Sequence, residues 1–191
     1  MIMENATDLQ KTALNALHTE LGGRLVPFAG WELPIQYEGV VAEHRWCRSS
    51  AALFDVSHMA IHDIVDNETN VAVIERLTPT NIAAVKPGRS RYGLFTTLDG
   101  GVLDDFIVSR LESKIRIVSN AARRATVARI LSKEFDASQL TEVTDSALLA
   151  LQGPAAAAVV GKLSQAATQI NFMGTVETEL AGIRVLVSRS G

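Results

Sequence analysis

The feature that most constrains the fold is a turn sequence, Asp99-Gly100-Gly101, between two strand-like runs at residues 92–98 and 102–108. Asp-Gly and Gly-Gly pairs readily adopt the positive φ angles that a two-residue hairpin turn requires. The flanking runs contain the aromatic and aliphatic residues that are typical of strands. The sequence therefore predicts a β-hairpin with a tight turn at this point.

Two adjacent carboxylates, Asp104 and Asp105, lie in the second run. Neighbouring side chains of a strand point to opposite faces, so these two residues cannot share one role. Both faces of the run are largely apolar, which indicates a strand covered on both sides and leaves open which aspartate points inward. In the alternative interpretation, both aspartates belong to the turn and bond its backbone amides.

The order of elements indicates the fold class. Residues 60–135 read as strand, helix, three strands and helix, which predicts an antiparallel sheet with helices on one face, an α+β fold. Nearer the N-terminus we expect a helix over residues 8–21 and an irregular, proline-flanked segment over residues 30–34. Asn67 and Asn120 precede two of the helices and are predicted to cap them.

The composition excludes several classes of function. The chain has 191 residues, of which 47% are hydrophobic and 20% charged, with a formal net charge of −3. This mild acidity disfavours nucleic acid as a partner, and no window approaches the roughly 20 apolar residues of a membrane span. Residues 1–10 show neither a signal peptide nor a transit peptide, so we expect a cytoplasmic protein.

Few residues suggest a metal site or a nucleophile. The histidines at positions 44, 58 and 62 lack a third ligand at suitable spacing, so no metal is predicted. The single cysteine, Cys47, excludes an internal disulfide and is expected to be a reduced structural thiol. Arg89 and Arg91 either neutralise an anionic ligand tail or lie on a solvated strand edge.

Four segments together carry a resemblance to a known family. They are VPFAGWELPIQY at residues 26–37, LFDVSHM at 53–59, LDGGVLDDFIV at 98–108 and ALLALQGP at 147–154. In order and separation they resemble the N-terminal portion of the aminomethyltransferase T-protein of the glycine cleavage system. The chain also ends on an apolar strand, so we expect that it is truncated.

The resemblance implies a folate-binding, T-protein-like α+β fold with antiparallel sheets flanked by helices, truncated before its C-terminal β domain. It implies a discontinuous first domain at residues 1–53 and 142–191, incomplete at its C-terminus. Residues 54–141 would form an inserted antiparallel sheet with helices, carrying the folate-site aspartate.

The implied activity is tetrahydrofolate-dependent aminomethyl transfer. The lipoyl arm of H-protein would deliver the aminomethyl group, and methylene-tetrahydrofolate and ammonia would form without a metal. Tetrahydrofolate would be the co-substrate and lipoylated H-protein the partner. This portion alone is expected to bind folate weakly and to show little or no activity.

The resemblance also assigns site residues. The Asp105 carboxylate is expected to face the pterin of tetrahydrofolate and to act in catalysis, whereas Asp104 is expected to face away. Further folate contacts would come from Met59, Tyr92, Ile107 and Asn120. Core packing remains an alternative role for Met59 and Ile107, and helix capping for Asn120.

Two other functions stay open. One is the folate-binding module of a sarcosine- or dimethylglycine-oxidising enzyme, which would share the aspartate and the folate. The other is a non-enzymatic, folate-binding accessory protein of iron–sulfur assembly.

Overall fold

The computed structural model describes residues 9–191, and their contacts group into two compact units. The first unit takes in the described residues up to His58 together with Ser146–Val160, and the second consists of Met59–Asp145 and Gly161–Gly191. The expectations for residues 1–8, including the start of the predicted N-terminal helix, lie outside the described residues.

The first unit contains two small sheets and three short helices. Its elements are β1 (Gln10–Lys11), α1 (Asn15–Glu20), β2 (Arg24–Phe28), β3 (Trp31–Gln36), α2 (Val40–Ser49), β4 (Ala52–Asp55), β10 (Leu149–Gln152) and all but the last residue of α5 (Ala156–Gly161). The sheets have the orders β1-β3-β2 and β10-β4. Gly22, at a φ of +76°, follows α1, as expected of a glycine that ends a helix.

The irregular segment that was predicted over residues 30–34 is wrong, because β2 and β3 form a hairpin. Ala29 and Gly30 both have positive φ, at 51° and 81°, which are the values of a two-residue type I′ turn. Both prolines of the hairpin lie at positions where a strand does not need the missing N–H group for pairing. Pro27 lies on the edge strand β2, and Pro34 lies beyond the part of β3 that pairs with β1.

The helix predicted over residues 8–21 is also shorter than expected. Within the described residues 9–21, only Asn15–Glu20 is helical, and Gln10 and Lys11 instead pair in parallel with Trp31 and Glu32 of β3. This pairing spans about twenty residues of chain, so the local periodicity could not indicate it.

The second unit is built on one large sheet. Its elements are β5 (Ala60–Val65), α3 (Glu68–Glu75), β6 (Arg89–Thr96), β7 (Val102–Arg110), β8 (Lys114–Ser119), a 3₁₀ turn (Ala121–Arg123), α4 (Arg124–Glu134), β9 (Leu140–Glu142), α6 (Gln165–Thr168), β11 (Gly174–Leu180) and β12 (Ile183–Arg189). Within the described residues the sheet has seven strands in the order β12-β11-β6-β7-β8-β5-β9, and every pairing is antiparallel. This architecture confirms the α+β prediction.

The β6–β7 hairpin is confirmed, but its turn is longer than predicted. The loop consists of Leu98, Asp99 and Gly100, closed by a hydrogen bond from the Thr97 amide to the Gly101 carbonyl at 2.8 Å. Only Gly100 has a positive φ, at 87°. A single residue with positive φ at the end of the loop is typical of a three-residue hairpin loop. A two-residue loop needs a positive φ at both residues in a type I′ turn, or at the first residue in a type II′ turn.

The core of the second unit lies between one face of this sheet and helices α3 and α4. Its buried residues are Ile64, Val71, Ile74, Ile82, Phe95, Phe106, Val108, Ile115, Ile117, Val127, Leu131 and Phe135. Asn67 caps α3, as predicted, because its side chain accepts a hydrogen bond from the Asn70 amide at 2.8 Å. No helix among the described residues is long and apolar enough to cross a membrane.

The division by contacts differs from the expected domain bounds. Residues 161–191 group with the second unit, whereas we expected them in the first domain. Strand β11 joins β6 through the Gly174–Arg89 pair and through a buried hydrogen bond of 2.6 Å between the hydroxyls of Ser90 and Thr175. The expected domain bounds stay a prediction.

Candidate functional site

Four adjacent strands bring the predicted site residues together at one end of the large sheet. Asp105 of β7 is opposite Leu94 of β6, and Ile107 is opposite Tyr92. Ser119, the last residue of β8, pairs with both Phe106 and Ala60. Since Asn120 follows Ser119, Asp105 precedes Phe106 and Met59 precedes Ala60, the ladder brings Met59, Asn120 and Asp105 into one row.

The two adjacent aspartates point to opposite faces of β7. Asp104 shares its face with Phe106 and Val108 on the helix-covered side and is 7% exposed. Asp105 shares its face with Ile107 and is half-buried. The structure thus settles what the apolar pattern left open, because Asp104 points into the core side and Asp105 to the other side.

Asp105 is held by a tyrosine on the neighbouring strand. The Tyr92 hydroxyl donates to Asp105 Oδ2 at 2.5 Å, and the Tyr92 side chain is exposed. The hydrogen bond to Asp105 raises the pKa of Tyr92, with smaller contributions from desolvation and from the charges of Asp105 and Asp104. A phenol whose pKa is raised stays protonated at neutral pH and keeps donating to the carboxylate.

Asn120 connects the two aspartates. Its Nδ2 donates to Asp105 Oδ1 at 2.7 Å and to Asp104 Oδ1 at 2.9 Å, and its backbone N–H donates to Asp104 Oδ2 at 3.1 Å. The predicted helix capping by its side chain is wrong, because that side chain makes no capping bond although Asn120 precedes the 3₁₀ turn. The turn interpretation of the aspartates is wrong as well, since Asp104 and Asp105 bond Asn120, which lies 16 and 15 residues away in the chain.

Met59 and Ile107 are half-buried, and neither belongs to the buried cluster beneath the helices. The Met59 carbonyl accepts a hydrogen bond from Arg124 Nη2 at 3.1 Å, and Arg124 Nη1 pairs with Glu142 at 2.6 Å. Sequence reasoning missed Arg124, and its only signal was its position shortly after Asn120. The roles of Met59 and Ile107 as folate contacts stay a prediction.

Other candidate residues lie elsewhere. Arg89 and Arg91 alternate with Tyr92 on β6 and so belong to the opposite face, and Arg91 Nη1 donates to the Asn81 carbonyl at 3.0 Å. His58 makes an edge contact with Phe28 at 5.6 Å between ring centroids. In residues 9–191, no group of three or more His, Cys, Asp or Glu side chains is arranged to hold a metal ion.

A polar network in the first unit was not predicted from the sequence. His18 Nε2 is 2.9 Å from Asp55 Oδ2, the Tyr37 hydroxyl is 2.7 Å from His18 Nδ1, and the Ser57 hydroxyl donates to Asp55 Oδ1 at 2.6 Å. Burial tends to raise the pKa of Asp55, but hydrogen bonds from Ser57 and His18 outweigh it and lower the pKa. Tyr37, Asp55 and Ser57 lie in the segments that carry the family resemblance, whereas His18 lies outside them. The sequence therefore did not indicate that these four side chains meet.

The family model and the curated relatives that match the chain agree on one protein family. A family model described as the GCVT N-terminal domain matches residues 14–191. The chain is 37% identical to "Probable aminomethyltransferase, mitochondrial" of Schizosaccharomyces pombe, covering 97% of this chain and 50% of that protein. It is 36% identical to "Aminomethyltransferase" of Saccharopolyspora erythraea, covering 95% of this chain and 51% of that protein. The chain thus spans about half the length of the curated relatives it matches.

Solved structures agree with the fold. The glycine cleavage system aminomethyltransferase T from Bartonella henselae is 34% identical, with a TM-score of 0.76 over 90% of this chain and 48% of that chain. This likeness confirms the predicted T-protein-like fold. A heterotetrameric sarcosine oxidase from Corynebacterium sp. U-96 has a TM-score of 0.54 at 18% identity, covering 78% of this chain and 77% of that chain. At that identity the second likeness concerns the fold alone.

Proposed function

The chain belongs to the GCVT N-terminal domain family, and from this premise we propose that it provides the folate-facing part of a glycine cleavage aminomethyltransferase. The observation that carries the proposal is the Asp105 carboxylate, which is held by Tyr92 and Asn120 on the face of β7 away from the helices. The alternatives of an oxidising enzyme and of an iron–sulfur accessory protein gain no such support, since the Schizosaccharomyces pombe and Saccharopolyspora erythraea relatives are both named aminomethyltransferases.

The proposed reaction joins two substrates. The lipoyl arm of H-protein carries an aminomethyl group on sulfur. Two nitrogens of tetrahydrofolate form bonds to its carbon while the carbon's bonds to the amino group and to sulfur break. The two nitrogen-bound protons pass to the leaving groups, so ammonia, dihydrolipoyl H-protein and methylene-tetrahydrofolate form. Such a transfer requires that both substrates be oriented at the point of reaction and that developing positive charge be stabilised.

The residues of this chain fit the folate side of that reaction. Asp105 offers a fixed negative charge to nitrogens that gain positive character, and it can accept a proton. Its two oxygens receive separate hydrogen bonds from Tyr92 and Asn120, so the carboxylate has one preferred orientation. The half-buried Met59 and Ile107 supply apolar surface beside it for a planar ring.

Turnover, the lipoyl partner and the location are proposed for the whole protein. Because the chain spans about half the length of its relatives, we expect weak binding of tetrahydrofolate and little turnover from these 191 residues. A cytoplasmic location stays a prediction, and the Schizosaccharomyces pombe relative is named mitochondrial.

The test is calorimetric titration of tetrahydrofolate into the native chain, the Asp105→Asn variant and the Asp145→Asn variant. Asp145 is exposed and provides a matched control for loss of one carboxylate. We expect the native chain and the control to bind alike, and Asp105→Asn to bind at least about tenfold more weakly, as for a lost charge-assisted contact.

Ammonia release from aminomethylated H-protein is assayed alongside. Equal affinity of the native chain and Asp105→Asn would contradict the assignment of Asp105. Complete absence of tetrahydrofolate binding by the native chain would contradict the proposed function of this part.

A further inference from the structure

The feature that leads beyond the proposed function is the buried carboxylate of Asp104. It is 7% exposed and lies on the helix-covered face of β7, away from Asp105. Within residues 9–191 both of its oxygens bond the same residue, one to the Asn120 backbone N–H and the other to Asn120 Nδ2. Burial of a carboxylate is unfavourable, so this two-point contact is a specific arrangement.

The contact fixes the direction of the Asn120 amide. A side-chain amide nitrogen carries two hydrogens, and here they are directed at Asp104 Oδ1 at 2.9 Å and Asp105 Oδ1 at 2.7 Å. A third and longer contact joins the same nitrogen to the Asp105 carbonyl at 3.5 Å. If the amide were flipped, its oxygen would face two carboxylates, which is repulsive.

We propose that Asp104 is a positioning residue, which orients the Asn120 amide so that Asn120 in turn fixes the Asp105 carboxylate. The inference rests on the proposed function of Asp105 in folate binding. Asp104 itself touches no substrate in this arrangement, because it lies on the other face of the strand. Among residues 9–191, Asn120 Nδ2 bonds Asp104 and Asp105. Without Asp104, Asp105 alone would hold the amide, and Asn120 would no longer be a fixed partner of the Asp105 carboxylate.

The test is a double-mutant cycle on tetrahydrofolate affinity, measured by calorimetry on the 191-residue chain. The variants are Asp104→Asn, Asn120→Ala and their combination, with Asp145→Asn as the control. Asp104→Asn keeps the size of the side chain, and its thermal unfolding is recorded to confirm that it folds.

We expect Asp104→Asn to weaken binding about tenfold in the native background but less than about twofold when Asn120 is already alanine. An effect of the Asp104 charge acting directly through space would be the same in both backgrounds. An equal loss with and without Asn120, or binding by Asp104→Asn within twofold of native, would overturn the proposal.

A second readout does not depend on folate. The side-chain amide protons of Asn120, assigned in nuclear magnetic resonance spectra through the Asn120→Ala variant, should exchange with solvent at least about tenfold more slowly than those of the exposed Asn171. Asp104→Asn should remove this protection, and retained protection would overturn the inference. If the native chain binds no tetrahydrofolate, the proposed function fails, and this readout still decides whether Asp104 orients Asn120.

Discussion

The Tyr92 hydroxyl and the Asp105 carboxylate lie diagonally across two antiparallel strands, and the hydroxyl donates to the carboxylate at 2.5 Å. The bond couples the ionisation of an exposed phenol to the charge of the proposed catalytic residue. This coupling gives a spectroscopic measure of the site that needs no substrate.

We expect Asp105→Asn to lower the pKa of Tyr92 towards its ordinary value near 10, because the hydrogen bond to Asp105 is the main cause of its elevation. Tyr37 and Tyr92 are the only tyrosines in the sequence, so a Tyr37→Phe background isolates the signal. Near-ultraviolet absorbance of tyrosinate against pH measures it. The Asp145→Asn control should leave the titration curve unchanged, and an unshifted curve in Asp105→Asn would contradict the bond.

His62 should limit the stability of the second unit at low pH. It is 1% exposed, and both of its ring nitrogens lack a hydrogen-bond partner among the described residues. Burial is the main cause that lowers its pKa; the charge of Arg124 lowers it further, while Glu142 and Asp63 act in the opposite direction. The unfolded state therefore binds more protons below about pH 6.5, and stability falls as the pH falls through that range.

We expect His62→Leu to raise the free energy of unfolding by about 1 kcal/mol, because it removes buried polar atoms without partners. It should also flatten the pH dependence between about pH 7.5 and pH 5.5. Urea unfolding followed by circular dichroism measures both, with the exposed His44→Gln as control. A steeper pH dependence than native would show that His62 is not the group responsible.

Gly93 faces Phe106 so closely that a side chain does not fit. A Cβ at this position would lie 2.5 Å from Phe106 Cζ and 2.8 Å from Thr80 Oγ1. We expect Gly93→Ala to cost about 2 kcal/mol through overpacking. In the Phe106→Leu background the same change should cost less, and strictly additive losses in the double variant would contradict this explanation.

The network around Asp55 should stabilise the first unit above acidic pH. Its pKa is lowered on folding, so its contribution is present above the unfolded value near 3.8 and is lost as the pH falls below it. Asp55→Asn should cost about 1–3 kcal/mol at neutral pH, since it removes a carboxylate that bonds both His18 Nε2 and the Ser57 hydroxyl. The acid limb of its unfolding curve should be flatter than that of the native chain.

Trp31 and Trp46 are the only tryptophans in the sequence and both lie in the first unit, so their fluorescence follows that unit alone. The exposed Glu38→Gln is the control for removing a carboxylate from the same unit. An acid limb as steep in Asp55→Asn as in the native chain would assign the pH dependence to another group.

Local patterns predicted the elements of the second unit well but not the contacts between them. The predicted order of strand, helix, three strands and helix over residues 60–135 is the order that the structure shows, because apolar residues recur there with the periods of strands and helices. The β2–β3 hairpin was missed because prolines usually interrupt strands. A strand tolerates a proline where no neighbouring strand needs its missing N–H group, and the arrangement of the whole sheet decides where that is.

The site shows the same limit. The sequence alone could not say which of Asp104 and Asp105 faces the core, because both faces of β7 carry apolar residues. Resemblance selected Asp105, but only the ladder between β7 and β8 places Asn120 between the two carboxylates. The capping prediction for Asn120 failed because the two carboxylates hold its side-chain amide through Nδ2, and its side chain makes no bond to the N–H groups of the 3₁₀ turn.

The pairing of β5 has a consequence for biosynthesis. Among the described strands its backbone pairs with β8 and β9, and β8 begins about fifty residues further along the chain. At roughly 5–20 residues per second, the ribosome needs roughly 3–10 seconds to deliver that partner. Throughout this interval β5 exposes an unpaired apolar edge, which makes it the segment of the nascent second unit that we expect a chaperone to bind.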